Sequence, residues 1–272
     1  MGLSIEALEF LRLVEMRSIT DEYFPLMKNP LKLSEKLSEK FNAQERHALL
    51  HYLEILPKIR EKFCLQKIDL ICDRLAYEQA TARDISEYKA KLWQSGTKIM
   101  DLCCGMGGDS FWLPAGIAAS GVDIAPERVL MFNENMERLG LPHRAVLQNA
   151  LEVAGGDFFC IDPARRGGLN PNFENVLELS KKFCGGMVKL PPAYDENELP
   201  KESDVLYLGN ASDCRECLML SGVFGKRMIR AVAVCKDKTF EWQCEKSELQ
   251  NINLEVKKLG NFILEPNPVL VR

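Results

Sequence analysis

Residues 98–102 (Lys98-Ile99-Met100-Asp101-Leu102) form an apolar run that breaks into Cys103-Cys104-Gly105-Met106-Gly107-Gly108-Asp109. Further on, Gly121-Val122-Asp123-Ile124 places a second acid at the end of another apolar run. A strand, a glycine turn and an acid about twenty residues later suit a nucleotide-like ligand lying across the carboxyl edge of a parallel sheet. Gly105, Gly107 and Gly108 allow a tight turn, positive φ and close backbone approach to that ligand. The loop is expected to open a helix near Asp109-Ser110-Phe111, with its free N–H groups facing the ligand.

The spacing narrows the ligand. A dinucleotide site needs a third glycine where this chain has Ser110, and a P-loop needs a lysine after the glycines that is missing here. Asp101 and Asp109 would repel a pyrophosphate and suit an ammonium. S-adenosylmethionine (SAM) carries an amino acid ammonium, a sulfonium and a ribose, and no phosphate. Asp123 can accept hydrogen bonds from both ribose hydroxyls, each worth roughly 1.5–3 kcal/mol.

Around this pair the chain alternates strand and helix patterns. Thr81-Ala82-Arg83-Asp84 reads as a capping box opening a helix with Ile85, Tyr88, Leu92 and Trp93. Further strands are expected near 118–124, 144–149, 157–162, 187–190, 205–208 and 228–234. Pro126 suits the first turn of a helix running to Leu139, with Gly140 as its stop. This alternation predicts an α/β, doubly wound, Rossmann-like sheet.

The first 80 or so residues read as helical. Leu8, Leu11, Leu13 and Val14 form one apolar face. Asn42-Ala43-Gln44-Glu45 is a capping box for a helix that should continue past Pro57, since Ile59, Phe63, Ile68 and Ile71 extend its apolar pattern. The domain reading is a helical N-terminal domain at 1–80, a catalytic domain at 81–250, and an extension at 251–272 that departs from the α/β rhythm.

The second half of a SAM site needs an adenine pocket and a place for the acceptor. Asn149, at the end of the third strand, can bond adenine or simply form a turn. Asp162-Pro163-Ala164-Arg165-Arg166 lies at the rim of the fourth strand. There Asp162 can orient an acceptor or take its proton, and Arg165 or Arg166 can bind a phosphate or carboxylate bidentately. Lys189, at the end of another strand, adds positive charge.

Composition excludes several classes. The 272 residues are 46% hydrophobic and 27% charged, and no apolar run is long enough for a membrane helix. The start lacks the basic and apolar regions of a signal peptide. Ten cysteines in such a chain read as reduced, buried thiols of a cytoplasmic protein. Cys214-Arg215-Glu216-Cys217 is a lone C-x-x-C, and His47 and His51 lack a third ligand, so no metal is expected. The net charge of −4 lowers the expectation of tight, unaided nucleic-acid binding without excluding a local basic patch.

The combination resembles class I SAM-dependent methyltransferases, more closely the bacterial branch with a C-terminal THUMP-like domain, with trimethylguanosine synthases as distant relatives. The matching stretches are Glu78-Gln79-Ala80-Thr81 with Tyr88-Lys89-Ala90, Asp101 to Asp109, Asp162 to Arg166, Val188-Lys189-Leu190 and Glu216-Cys217-Leu218. The resemblance implies that Asp101, Gly105 and Gly107 hold the methionine end of SAM. It implies that Asp123 holds ribose and that Asp162 lies beside the transferred methyl group. Thr81, Asp109 and Asn149 are further candidate cofactor contacts, Arg165 a catalytic one, and Arg165, Arg166 and Lys189 substrate contacts. Glu265-Pro266-Asn267-Pro268 matches the stretch that leads into the THUMP-like domain, so residues 251–272 read either as the start of that domain or as the end of a member without it. RNA is the expected substrate.

Two departures bear on the substrate. Ala164 and Arg165 stand where exocyclic-amine methyltransferases carry proline and an aromatic, so that base-stacking platform is missing. Gly209 stands where uridine-C5 enzymes carry a nucleophilic cysteine, so covalent C5 chemistry is not expected. A small-molecule or protein methyltransferase, and a non-catalytic SAM- or RNA-binding module, stay open beside the RNA reading.

Overall fold

The computed structural model describes residues 2–164, 168–235 and 238–249. Five helices come first: α1 (Ile5–Leu13), α2 (Met16–Tyr23), α3 (Pro30–Lys40), α4 (Ala43–Phe63) and α5 (Arg74–Gln79). The Asn42–Glu45 capping box forms at the start of α4 as expected, and the helix runs through Pro57. It does not continue to Ile71: Cys64 turns left-handed, with φ 51°, and ends it. Leu8 and Leu11 of α1 are buried, whereas Leu13 faces solvent, contrary to its place in the expected apolar face.

The α/β part follows as α6 (Arg83–Ala90), β1 (Lys98–Leu102), β2 (Ala118–Asp123), α7 (Pro126–Arg138), β3 (Arg144–Leu147), β4 (Gly156–Ile161), α8 (Phe173–Ser180), β5 (Phe183–Leu190), β6 (Asp204–Gly209), β7 (Cys214–Gly222), β8 (Met228–Cys235), β9 (Lys238–Glu245) and α9 (Lys246–Leu249). Nine strands make one sheet in the order β3-β2-β1-β4-β5-β7-β6-β8-β9. Strands β3, β2, β1, β4 and β5 pair parallel, and β7 inserts antiparallel between β5 and β6. The chain winds from β1 outward to β3, then returns to lay β4 on the other side of β1. That reversal opens a crevice at the carboxyl ends of β1 and β4. The expected α/β, doubly wound, Rossmann-like sheet is therefore present, preceded by its helical N-terminal part.

Two strands escaped the sequence reading. β7 is noted for its C-x-x-C and the matching stretch Glu216-Cys217-Leu218 but is not among the expected strands, although Cys217-Leu218-Met219-Leu220 is an apolar run. β9 alternates Phe240, Trp242 and Cys244 with polar residues, a strand pattern that the sequence expectations leave out, and it is exposed along most of its length. The expected helix after the glycine loop is only a 3-10 turn, Ser110–Trp112. The expected cap at Thr81 is absent: Ala82 holds the N-cap position of α6, without a side-chain cap bond.

The N-terminal helices share one core with the back of the glycine loop. Leu49, Leu53, Leu56 and Phe63 pack in the same cluster as Met106, Phe111, Phe132 and Met136. Each such large side chain contributes about 1.5–3 kcal/mol on burial. Two buried polar contacts add direction to this packing. Arg128 of α7 lies 3.0 Å from Asp73, and the Asn135 side chain bonds both the N–H and the carbonyl of Ile71. The glycine loop is thus held from behind by side chains distant in sequence.

Candidate active site

Strand alternation explains how the site is built. Successive side chains leave opposite faces of a sheet, and residues in register point the same way. Asp101 is in register with Cys160, and Cys160 with Met187. One face therefore carries Ile99, Cys160, Met187 and Leu218, packed under α6. Two residues farther along each strand, at the rim, the same face changes character. Ile99 is followed by Asp101, Cys160 by Asp162, and Met187 by Lys189. Because β7 runs the other way, its rim residue is Glu216, two before Leu218. Four neighbouring strands thus exchange an apolar side chain for a charged one on the same face, in steps: Asp162 and Lys189 stand two residues beyond the level of Asp101, and Glu216 two beyond Leu218, the partner of Lys189.

These groups form a continuous chain of ion pairs with α6 and the glycine loop. Lys89 lies 2.7 Å from Asp109 and 2.9 Å from Glu216. Lys189 lies 3.0 Å from Glu216 and 2.7 Å from Asp162. Thr81 sits at the junction, its hydroxyl 3.1 Å from Asp109 and from Glu216, and it accepts from Lys189 at 3.1 Å. Ser86 donates to the Gly108 carbonyl and lies 3.1 Å from Asp109. Glu216 and Lys189 are buried, only 3% and 6% exposed. The ends of the chain are more open, with the Asp162 side chain 30% exposed.

Burial sets the protonation of this cluster. Asp101 accepts from Ser110 Oγ, yet its pKa is pushed up to about 7, chiefly by burial. The Ser110 bond opposes that rise, and the nearby Asp109 and Asp162 charges add to it. Asp162 is also raised by burial, against the pull of Lys189. Burial alone would neutralise Glu216, but Lys189 and Lys89 outweigh it and hold the carboxylate at about 2. Both lysines are held charged: burial disfavours the ammonium, while carboxylates at each side restore it. Cys103 is raised to about 12 by burial, so it is a thiol.

Asp123 stands at the end of β2 and ties the two loops together. Its carboxylate accepts from Gly105 N at 2.9 Å and from Ala125 N at 3.0 Å. Gly105 and Gly107 have φ of 56° and 95°, the left-handed backbone anticipated for the turn. At Gly107 a Cβ would meet Met136 Cε at 2.7 Å and Phe111 Cε1 at 2.9 Å. Beside Asp123, Ile124 is 73% exposed. Leu147, in register with Asp123 on β3, is exposed too. This leaves apolar surface next to the acid.

The structure thus gathers Thr81, Asp101, Gly105, Gly107, Asp109, Asp123, Asp162 and Lys189 at one sheet edge. Thr81 and Asp109 enter through the ion-pair chain. Asn149 lies two residues past the end of β3, and its side-chain oxygen accepts from Leu151 N in a local turn. That is the turn-forming alternative. Arg165, Arg166 and the Glu265–Pro268 stretch lie outside the described residues. From the sequence, Lys89 and Glu216 have no expected role, yet the structure puts them at the centre of the cluster. A charged residue opening an apolar run was the signal for Glu216. Among the described residues no group of three or more His, Cys, Asp or Glu side chains is placed to hold a metal. Among the same residues no helix is long and apolar enough to cross a membrane.

No protein-family model matches the sequence, and no curated relative matches it either. The fold is similar to that of a candidate methyltransferase from Porphyromonas gingivalis W83, with a TM-score of 0.71 at 20% identity. The likeness covers 85% of this chain and 65% of that one, so this chain spans a little under two thirds of that protein's length. It shows a shared Rossmann-like α/β fold. A tRNA (uracil-54, C5)-methyltransferase from Pyrococcus abyssi, in complex with S-adenosyl-L-homocysteine, overlaps less, with a TM-score of 0.37 at 21% identity over 46% of this chain and 33% of that one. A candidate RNA methyltransferase from Pyrococcus horikoshii gives 0.33 at 15% identity over 42% and 56%. Overlaps of that size carry no inference about this chain.

Proposed function

We propose that this chain is a SAM-dependent methyltransferase acting on RNA, by direct transfer to a nitrogen or oxygen. The observation that carries the reading is the rim itself: a methyltransferase fold presents Asp101, Asp109 and Asp162 together at the crevice, with Asp123 beside the glycine turn. The residues fit the cofactor. A carboxylate-rich cleft suits a ligand with an ammonium and a sulfonium. Asp123 suits ribose, and the apolar surface of Ile124 and Leu147 suits adenine. Asp101, Gly105, Gly107 and Asp109 would hold the methionine end.

When bound, SAM supplies an electrophilic methyl carbon: the acceptor's lone pair forms the new bond, the methyl–sulfur electrons return to sulfur, and the acceptor's proton is released. In this reading Asp162 orients that acceptor and receives its proton. Lys189 fixes the carboxylate's direction at 2.7 Å, and burial raises its proton affinity. The protein otherwise contributes orientation. RNA as substrate rests on the resemblance and on Arg165 and Arg166 following Asp162 in sequence. The net charge of −4 favours a second reading, methylation of a protein or small molecule. We further infer the division at residues 80 and 250, the start of a THUMP-like domain beyond it, and a cytoplasmic setting.

Calorimetric titration with SAM is the first test, and saturable binding is expected. No binding by folded protein would remove the methyltransferase reading. Incubation of cell extract with methyl-labelled SAM then separates the substrates. Label in RNA is expected, and label confined to protein or metabolites would overturn the RNA assignment.

A further inference from the structure

Glu216 is an expensive residue to place where it is. It is buried at the rim of β7, an antiparallel strand that contributes nothing to the glycine loop or to the end of β4. Its carboxylate is shared between two lysines that come from different elements, Lys89 of α6 and Lys189 of β5, at 2.9 and 3.0 Å. Each lysine has a second carboxylate on its far side. Lys89 reaches Asp109 in the glycine loop, and Lys189 reaches Asp162 at the end of β4. Thr81 closes the middle of the chain, within 3.1 Å of Asp109, Glu216 and Lys189.

A lysine is a flexible point charge with three donors and four rotatable bonds. Without a shared anchor, Lys89 and Lys189 would each collapse onto its own outer carboxylate. The two like charges would separate and carry Asp109 and Asp162 with them. Resting on the proposed SAM-dependent reading, we propose that Glu216 is a positioning residue. It holds Lys89 and Lys189 at one point, and so sets the separation of Asp109, on the cofactor side, from Asp162, on the acceptor side. Its negative charge also offsets the two ammonium groups that face a cationic ligand.

The test uses Glu216→Gln, which keeps size and one acceptor but removes the charge. Asp204→Asn is the control. Asp204 is another buried carboxylate, on β6, which accepts from Met228 N and pairs with Arg230 at 3.2 Å. SAM and S-adenosylhomocysteine are each titrated into wild type and both variants, and thermal midpoints are recorded. The expected result is at least a 10-fold rise in Kd for SAM in Glu216→Gln. The neutral thioether should lose at least 3-fold less affinity than the sulfonium, because uncompensated lysine charge is felt by the cation. Asp204→Asn should lose thermal stability while keeping both affinities within 2-fold.

Unchanged SAM affinity in Glu216→Gln overturns the proposal. So does an equal loss for both ligands, or an equal loss in the control, since a general distortion would produce either. If Glu216→Gln does not fold, Glu216→Asp takes its place, because it keeps the charge but draws the carboxylate back from both lysines. A 3-fold or greater loss of SAM affinity in that variant supports the assignment, and unchanged affinity overturns it. Failure of the wild type to bind SAM would instead remove the methyltransferase reading, and the role of Glu216 with it.

Discussion

Asp101→Asn should make the protein more stable and less able to bind its ligand. Asp101 is buried, and its pKa is pushed up to about 7 from the ordinary aspartate value of 3.8, mainly by burial and against the Ser110 bond. Above about pH 4 the unfolded chain has released this proton, whereas the folded chain keeps it until about pH 7. The folded state binds more protons across that window, so stability falls as pH rises through it. The displacement corresponds to at most about 4 kcal/mol at pH 8, and local relaxation will reduce it. Asparagine can still accept from Ser110 and has no charge to bury. Urea melts from pH 4 to pH 8 should show the two proteins equal near pH 4. The variant should be ahead by about 1–4 kcal/mol at pH 8. Calorimetry should show the opposite for function: wild-type SAM affinity rising through about pH 7, and the variant at least about 10-fold weaker at pH 8, the loss of one charge-assisted bond. A variant no more stable than wild type at pH 8, or a stability difference independent of pH, would refute the reasoning.

Three further outcomes follow from the same geometry. Asp123→Ala strips the acceptor for Gly105 N and Ala125 N and should weaken SAM binding by about 10- to 150-fold; wild-type affinity would exclude Asp123 from the ribose contact. Gly107→Ala drives a Cβ into Met136 and Phe111 at a φ of 95° and should cost about 1–3 kcal/mol, read as a lowered urea midpoint; an unchanged midpoint would count against the turn. Arg128→Met leaves the buried Asp73 with only its bonds from Leu3 N and Ala76 N. A loss of about 2–3 kcal/mol is expected, below the 3–5 usual for a stripped buried pair. Retained stability would show that the Arg128–Asp73 pair adds nothing net to the docking of the N-terminal helices.

Much of this was legible in the chain because it is written over short distances. The left-handed glycines at 105 and 107 announce a turn, since other residues resist that backbone. The capping box at Asn42 and the stop at Gly140 are local hydrogen-bond chemistry, visible within four residues. Alternating strand and helix patterns identified the sheet, because parallel strands need crossovers. Thr81 shows the limit. Its sequence context reads as a helix cap, yet its hydroxyl serves Asp109 and Glu216, the latter 135 residues away. β9 differs: Phe240, Trp242 and Cys244 alternate with polar residues, so a strand is legible there, but on an edge strand exposed along most of its length the alternation marks no core face.

The sequence by itself determined the turn, the acids at its ends and the winding of the sheet, because each depends on neighbours in the chain. Only the tertiary structure decided that Lys89, Asp109, Asp162, Lys189 and Glu216 form one chain of charges. Side-chain period and strand register put Asp162, Lys189 and Glu216 on one face near the rim, and Lys89 and Asp109 reach them from α6 and the glycine loop. The antiparallel entry of β7 between β5 and β6 carried Glu216 to that rim, and register between distant strands is set by the packed core rather than by any local run of residues.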